Sequence, residues 1–104
     1  MKKGLSLMIL SDNLITKETT ENDTWNDISN KLDEEYYNFK KSVWADNKLK
    51  KAYVALDIMQ LSIRMLTLLA KEGFSIRQLF NRHNKKLVNQ GWREKKIIEI
   101  FIKG

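Results

Sequence analysis

The sequence predicts an all-α protein, an antiparallel bundle of three main helices, from three observations. Apolar residues recur at helical spacing through most of residues 24–92, and the chain contains no proline to interrupt them. Gly73 and Gly91 follow two of these stretches, where a glycine can end a helix. The connection between the first two stretches is short, so the helices that it joins should be antiparallel neighbours.

The strongest helical pattern occupies residues 49–71. The positions that recur every three or four residues are Leu49, Ala52, Tyr53, Leu56, Met59, Ile63, Leu66, Thr67 and Ala70. From Val54 onward the opposite face is apolar too, so this central helix should be covered on all sides, by the rest of the chain or by a partner. Asp57 interrupts the apolar run. A carboxylate in such surroundings requires a cation, hydrogen-bond donors or a metal from another segment.

The first helix is expected to begin near residue 24. Its predicted apolar stripe consists of Trp25, Ile28, Leu32, Tyr36, Phe39 and Val43. Glu35 projects beside this stripe, Asn38 lies one turn further along the same flank, and Glu34 points outward. The antiparallel arrangement brings Glu35 near Asp57 at the start of the central helix. Alternatively, the acidic run at residues 33–35 is a solvated surface patch.

A third helix is expected after Ser75, which forms a capping-box signature with Gln78. Its core face is predicted to contain Ile76, Leu79, Phe80, His83 and Leu87, and its other faces carry Arg77, Arg82, Lys85 and Lys86. A histidine on an apolar stripe is more often a core residue than a ligand or a base. Gly91 should end this helix, and Trp92 is expected to fold back onto the core.

A single domain is expected over the 104 residues, with a flexible arm at 1–23, a helical core at 24–92 and a tail at 93–104. The apolar segments at residues 5–10 and 97–102 could form short β-strands, since the second is rich in β-branched residues. A chain of this length buries only a modest core, which makes oligomerisation an economical way to cover apolar surface.

The net charge of +6 is unevenly distributed. Residues 1–48 carry seven lysines and nine acidic residues, a balance of −2, and residues 49–104 carry twelve basic and four acidic residues, a balance of +8. This asymmetry has two interpretations: the acidic half and the basic half together bind a metal ion and a phosphate, or the protein has an unevenly charged surface in contact with solvent. The absence of cysteine excludes disulfides and fits a cytoplasmic protein. Polar and charged residues interrupt the apolar run at 54–70, so no membrane span is expected.

Four stretches in the second half resemble the MazG-like, all-α nucleoside triphosphate pyrophosphohydrolases. They are ALDIMQ at 55–60, LLAKEG at 68–73, RHNKKL at 82–87 and QGW at 90–92. The resemblance extends over roughly residues 25–92. It implies a helical bundle completed by a second copy of the chain, in a homodimer or a homotetramer, and a nucleotide or another phosphorylated small molecule as ligand.

In that family, Mg²⁺ is held by a Glu-Glu-x-x-Glu pattern on the first helix and a Lys-x-x-Glu-x-x-Asp pattern on the next. The positions that match here are Glu34, Glu35, Lys51 and Asp57, of which the three acids would be the metal ligands. Asn38 and Val54 replace two glutamates of the family patterns. The loss of two negative charges should weaken a Mg²⁺ site.

The resemblance also implies ligand-binding residues in the third helix. The phosphate-facing portion keeps Arg82, Asn84, Lys85 and Lys86, with His83 in the same motif, whereas Gln90 replaces an arginine that often precedes Gly-Trp in the family. Two aromatic residues could stack on a base, because Tyr37 lies off the main stripe and Trp92 lies beyond the helix.

Three functions follow. The first is nucleotide binding by a MazG-like domain with a degenerate metal site, which would sequester a nucleotide signal as a phage-type antagonist does. The second is an active Mg²⁺-dependent pyrophosphohydrolase that cleaves between the α and β phosphates, with Asn38 or Asp33 completing its metal site. The third is a helical protein-interaction module. Nucleic-acid binding is not expected, because no base-reading motif accompanies the basic third helix.

Overall fold

The computed structural model describes residues 4–100, and their fold is all-α, as the sequence predicts. The elements are a 3₁₀ turn at Thr20–Asn22 and three helices, α1 at Trp25–Trp44, α2 at Lys48–Lys71 and α3 at Ile76–Asn89. The predicted strands are not formed by residues 5–10 or 97–100, and positions 101–102 lie outside the described residues. The chain forms two compact units. The first ends at Gly73 and contains α1 and α2, and the second begins at Phe74 and contains α3.

The ends of α1 and α2 follow from local capping. Thr24 is the N-cap of α1, where its hydroxyl accepts a hydrogen bond from the backbone N–H of Asp27 at 3.1 Å. Asn47 caps α2 in the same way, by accepting from the N–H of Lys50 at 3.0 Å. Only residues 45–47 separate the two helices. They therefore pack as an antiparallel hairpin, as the short connection predicts.

The hairpin buries one narrow stripe from each helix. Val54, Leu61 and Leu68 of α2 are buried and lie seven residues apart, so they face α1 along a single line. Ile28 and Ser42 of α1 are each 2% exposed. These residues constitute the buried core of the described part of the chain, which is small for a protein of this length.

The face of α1 that packs against α2 is not the predicted one. Four residues that were expected in the core are exposed: Trp25 by 41%, Tyr36 by 57%, Phe39 by 42% and Val43 by 50%. The stripe that faces α2 instead follows the series Ile28, Glu35, Ser42, since the buried members of α2 also recur every seven residues. Two overlapping faces of α1 have helical spacing, and the narrower one packs against α2.

The central helix is not covered on all sides within one chain. Leu49, Tyr53, Leu56 and Met59 of α2 are each about half exposed or more. By length and composition alone, α2 could cross a membrane, and it is the one helix in residues 4–100 that has this property. A single such helix is weak evidence for a membrane span, because core helices of water-soluble proteins pass the same test; those are mostly buried, whereas 11% of the apolar window of α2 is buried here.

The arm before α1 makes hydrogen bonds within itself and to α2. The Thr20 hydroxyl donates to the Leu10 carbonyl at 2.7 Å, and Lys71 of α2 donates to the Glu21 carbonyl at 3.1 Å. Asp23 accepts two hydrogen bonds from Arg64. Two cations of α2 therefore anchor the end of the arm.

The second unit contains α3 and the tail. Ser75 caps α3 by accepting from the Gln78 N–H at 3.3 Å, as predicted. Gly91 ends it with a φ of 97°, and the Trp92 N–H donates to the Leu87 carbonyl at 3.0 Å, which is the Schellman arrangement.

Three residues of this unit that were expected in the core are exposed. Phe80 and His83 were placed on the core face but are exposed. The apolar face of α3 is partly buried only at Ile76, Leu79 and Leu87. Trp92, which was expected to fold back onto the core, is 65% exposed, because its backbone is used to close the helix end while its ring points into solvent.

Candidate carboxylate site between the first two helices

Glu35 of α1 and Asp57 of α2 lie near enough across the hairpin for their charges to interact. Glu35 is half-buried, whereas Asp57, which was expected in apolar surroundings, is exposed to solvent. Burial raises the pKa of Glu35 from its ordinary value, and the negative charges of Asp57 and Glu34 raise it further. Lys50 and a hydrogen bond from the Asn38 side chain act in the opposite direction, by favouring the ionised form. The antiparallel packing thus brings together the two acids that the sequence analysis expected to be neighbours.

The carboxylate of Glu35 lacks one partner. Its Oε2 atom is buried and accepts no hydrogen bond, and the same is true of the Oε1 atom of Gln60 on α2. Gln60 follows Asp57 by three residues, so both side chains lie on one flank of α2. An unsatisfied buried oxygen is costly, and both atoms are acceptors that need a donor or a cation.

This position results from the seven-residue register of the hairpin. Glu35 occupies the place in the α1 stripe midway between Ile28 and Ser42, where an apolar residue would otherwise meet α2. Sequence reasoning placed Glu35 beside the stripe, whereas the structure places it within the stripe. Its spacing of seven residues from Ile28 is the signal from which this could have been inferred.

The other predicted metal-site residues are not gathered around this pair. Glu34 is exposed and lines a polar cleft with the arm, because adjacent residues on a helix diverge by about 100°. The Lys51 ammonium binds Asp46 at 2.9 Å. Val54 is 2% exposed in the core, so a glutamate at this position would be buried between the helices.

Among residues 4–100, no group of three or more histidine, aspartate or glutamate side chains could hold a metal ion. The side-chain oxygens that could bind a cation here are those of Glu35 and Asp57, together with the amide oxygens of Asn38, three residues after Glu35, and Gln60, three residues after Asp57. Mg²⁺ prefers oxygen ligands of this kind. It is usually bound by only one or two carboxylates and keeps several water ligands.

The predicted phosphate-binding residues occupy α3 and are exposed to solvent. They are Arg82, His83, Asn84, Lys85 and Lys86. No acidic residue occurs from Gly73 to Arg93, so α3 is a purely basic helix. A positive charge without nearby carboxylates favours contacts to anions. Tyr37 of α1 is 63% exposed, and the Lys41 ammonium lies 5.2 Å from the centre of its ring.

The sequence analysis did not identify the ion pair that joins the arm to α2. Arg64 binds Asp23 through both carboxylate oxygens, at 2.8 and 2.5 Å. The exposed fractions of the two side chains are only 14% and 7%. The partners are far apart in sequence, so no local spacing reveals the pair. The Asp23 hydrogen bond is also the main reason why the pKa of Arg64 is raised.

Compared with models of protein families, with curated proteins and with solved structures, the chain shows no match.

Proposed function

We propose that this chain binds a nucleotide, or another phosphorylated small molecule, through a divalent cation held by Glu35 and Asp57. The observation that carries the proposal is the unpartnered buried oxygen of the half-buried Glu35, with the negative charge of Asp57 near enough on α2 to raise the pKa of Glu35. Two like charges that face each other repel, and a cation between them removes this cost. Mg²⁺ bound by one or two carboxylates completes its coordination with waters and phosphate oxygens.

The same residues support binding without efficient hydrolysis. Val54 provides no oxygen, and it is buried in the core, where no ligand reaches it. Asn38 provides a neutral amide in place of a carboxylate. Fewer anionic ligands hold Mg²⁺ less tightly, which limits a hydrolase that needs a firmly placed ion, whereas a binder tolerates this because the phosphates of the nucleotide supply further ligands to the ion. Sequestration of a nucleotide signal is the role that fits these substitutions.

The composition of α3 also supports a phosphorylated ligand. Its four basic residues, Arg77, Arg82, Lys85 and Lys86, occur without an acidic neighbour on the same helix. Guanidinium and ammonium groups are the usual donors to phosphate oxygens. The stretch from Arg82 to Leu87 also carries the resemblance to the MazG-like family.

Calorimetric titration with purine and pyrimidine nucleoside triphosphates, with and without Mg²⁺, tests this function. We expect binding that strengthens in Mg²⁺, and a loss of at least about tenfold in affinity for Glu35→Gln and for Asp57→Asn. Asp33→Asn is the matched control, because Asp33 lies about 200° around α1 from Glu35 and is exposed.

Product analysis of the same samples separates the functional alternatives. Unchanged nucleotide after incubation with Mg²⁺ supports sequestration, and release of pyrophosphate identifies an active hydrolase. Equal affinity with and without Mg²⁺, or equal affinity of wild type and Glu35→Gln, contradicts the cation-mediated site.

A further inference from the structure

The net charge of the chain belongs to its second unit. Residues 1–73 carry eleven basic and eleven acidic residues, a balance of zero. Residues 74–104 carry eight basic and two acidic residues, a balance of +6, which equals the net charge of the whole chain. A unit with this excess attracts anionic surfaces and repels copies of itself. Charge therefore favours a partner of opposite sign for the second unit.

α3 is strongly amphipathic, and its apolar face is partly open. Successive residues of a helix turn by about 100°, so four apolar side chains and His83 fall within one sector of about 100°. These five residues form the apolar face of α3: Ile76, Leu79, Phe80, His83 and Leu87. No residue of α3 is buried, and Phe80 is 36% exposed. A helix with a distinct apolar face and no buried residue gains stability from a further surface that covers this face.

Basic residues border the apolar face of α3 on both sides. Arg77 lies about 60° outside the face on one side, and Lys86 and Arg82 lie about 20° and 60° outside it on the other. No acidic residue occurs anywhere in α3. At a membrane surface, guanidinium and ammonium groups in such positions reach the lipid phosphates, while the apolar face between them contacts the acyl chains. This arrangement is typical of helices that lie in the plane of an anionic interface.

We propose that the second unit binds an anionic lipid surface, with α3 lying in the plane of the interface and its apolar face towards the acyl chains. The 14 residues of α3 extend about 21 Å, less than the hydrocarbon core of about 30 Å, so α3 lies on the membrane and does not span it. This inference is independent of the carboxylate site, which lies in the first unit. It assigns a role to the apolar face of α3, which a phosphorylated small molecule does not use.

The residues that follow α3 suit the same surface. Trp92 is 65% exposed, and its ring combines an apolar body with a polar N–H, as is typical of side chains at membrane interfaces. Three basic residues occur at positions 93–96, and the three isoleucines at positions 97–100 are exposed. Anionic headgroups attract the first group, and acyl chains remove the second from water. The second unit therefore combines basic and apolar surface from α3 to residue 100.

The apolar face of α3 distinguishes a lipid surface from other anionic partners. Soluble phosphate or a nucleic acid would contact the basic residues but would gain little from an exposed phenylalanine between them. Two copies of the unit packed through this face would bring two charges of +6 together. An acidic protein would need an apolar groove with carboxylates along both edges. An anionic bilayer supplies apolar and anionic layers at the required depths over its whole area.

Co-sedimentation of the full chain with vesicles, using a matched pair of variants, tests this surface. We expect binding to phosphatidylcholine vesicles that contain phosphatidylglycerol, and at least about tenfold weaker partitioning into pure phosphatidylcholine. Phe80→Gln should lower the partition coefficient for the anionic vesicles at least about tenfold. Val88→Gln is the control, because Val88 is 58% exposed and lies about 80° outside the apolar face; it should change the coefficient by about twofold or less. No binding to the anionic vesicles, or equal losses in the two variants, overturns the proposal.

A fluorescent label measures the orientation of α3, because the chain contains no cysteine of its own. A nitrobenzoxadiazole label on His83→Cys, within the apolar face, should shift its emission to shorter wavelength when anionic vesicles are added. The same label on Asn81→Cys, about 160° around α3, should not shift. Equal shifts at the two positions overturn the in-plane orientation.

Three results would identify another partner and overturn the proposal. Release from anionic vesicles by inorganic phosphate at constant ionic strength would show that the unit recognises phosphate itself. A dimer in sedimentation velocity that Phe80→Gln dissociates, without binding to vesicles, would assign the apolar face to a second copy. Retention on polyglutamate without binding to vesicles would assign it to an acidic protein surface.

Discussion

Replacement of Arg64 by methionine should destabilise the first unit much more than a surface change, because it leaves a buried carboxylate without its partner. Arg64 binds both oxygens of Asp23, and the Asp23 side chain is only 7% exposed. Removing one member of a buried ion pair costs about 3–5 kcal/mol, mainly through the charge that remains. Because both side chains retain slight contact with solvent, we expect a loss near the lower limit, about 3 kcal/mol.

Urea denaturation followed by circular dichroism measures this loss, and a double-mutant cycle assigns it. Asp23→Asn removes the stranded charge, so the double variant should lose clearly less stability than the sum of the two single variants. Lys31→Met is the control, because Lys31 binds Glu18 in an exposed pair at 3.0 Å and should contribute little. A similar small loss for Arg64→Met and Lys31→Met would refute the structural role assigned to the buried pair.

Three further predictions concern the site, the core and one helix end. Because folding raises the pKa of Glu35, protonated Glu35 contributes to stability at low pH, and this contribution is lost as the pH rises from about 4.5 through the folded-state pKa. Glu35→Gln should abolish this loss in urea titrations at pH 4 and 7. A pH profile of stability that is the same in wild type and in Glu35→Gln would contradict the prediction. Val54→Ala should lower the free energy of unfolding by about 2 kcal/mol, against a negligible effect of Val43→Ala. Gly91 has a φ of 97°, so Gly91→Ala should destabilise the end of α3 by about 1 kcal/mol, which circular dichroism would show as lower helix content and thermal stability of the second unit. No loss would argue against the left-handed helix end.

The helices and their ends were largely predictable from the sequence. Helical spacing predicted residues 49–71 for the central helix, and the structure has Lys48–Lys71. Ser75 and the glycines at 73 and 91 act as predicted, because capping depends on residues within one turn. The nearness of Glu35 and Asp57 followed from one short connection and the antiparallel packing that it imposes.

The faces and long-range partners were not predictable in the same way. Periodicity identified an apolar face of α1 that included Tyr36, but it could not choose between two overlapping faces, and packing on α2 selected the one with Glu35. The pairing of Asp23 with Arg64 joins residues that are adjacent only after folding. The acidic residue Glu34 lay next to Glu35 in the sequence, yet the helix turns it towards the arm.

Electron paramagnetic resonance of Mn²⁺, titrated into the protein with and without a nucleoside triphosphate, tests the carboxylate site most directly. Mn²⁺ substitutes for Mg²⁺ at oxygen ligands, and the free ion is observed separately from the bound ion. With nucleotide present, we predict more bound Mn²⁺ on wild type and Asp33→Asn than the nucleotide alone accounts for, and loss of this excess in Glu35→Gln. Retention of the excess in Glu35→Gln, or its absence in wild type, would contradict the proposal that Glu35 and Asp57 hold the cation.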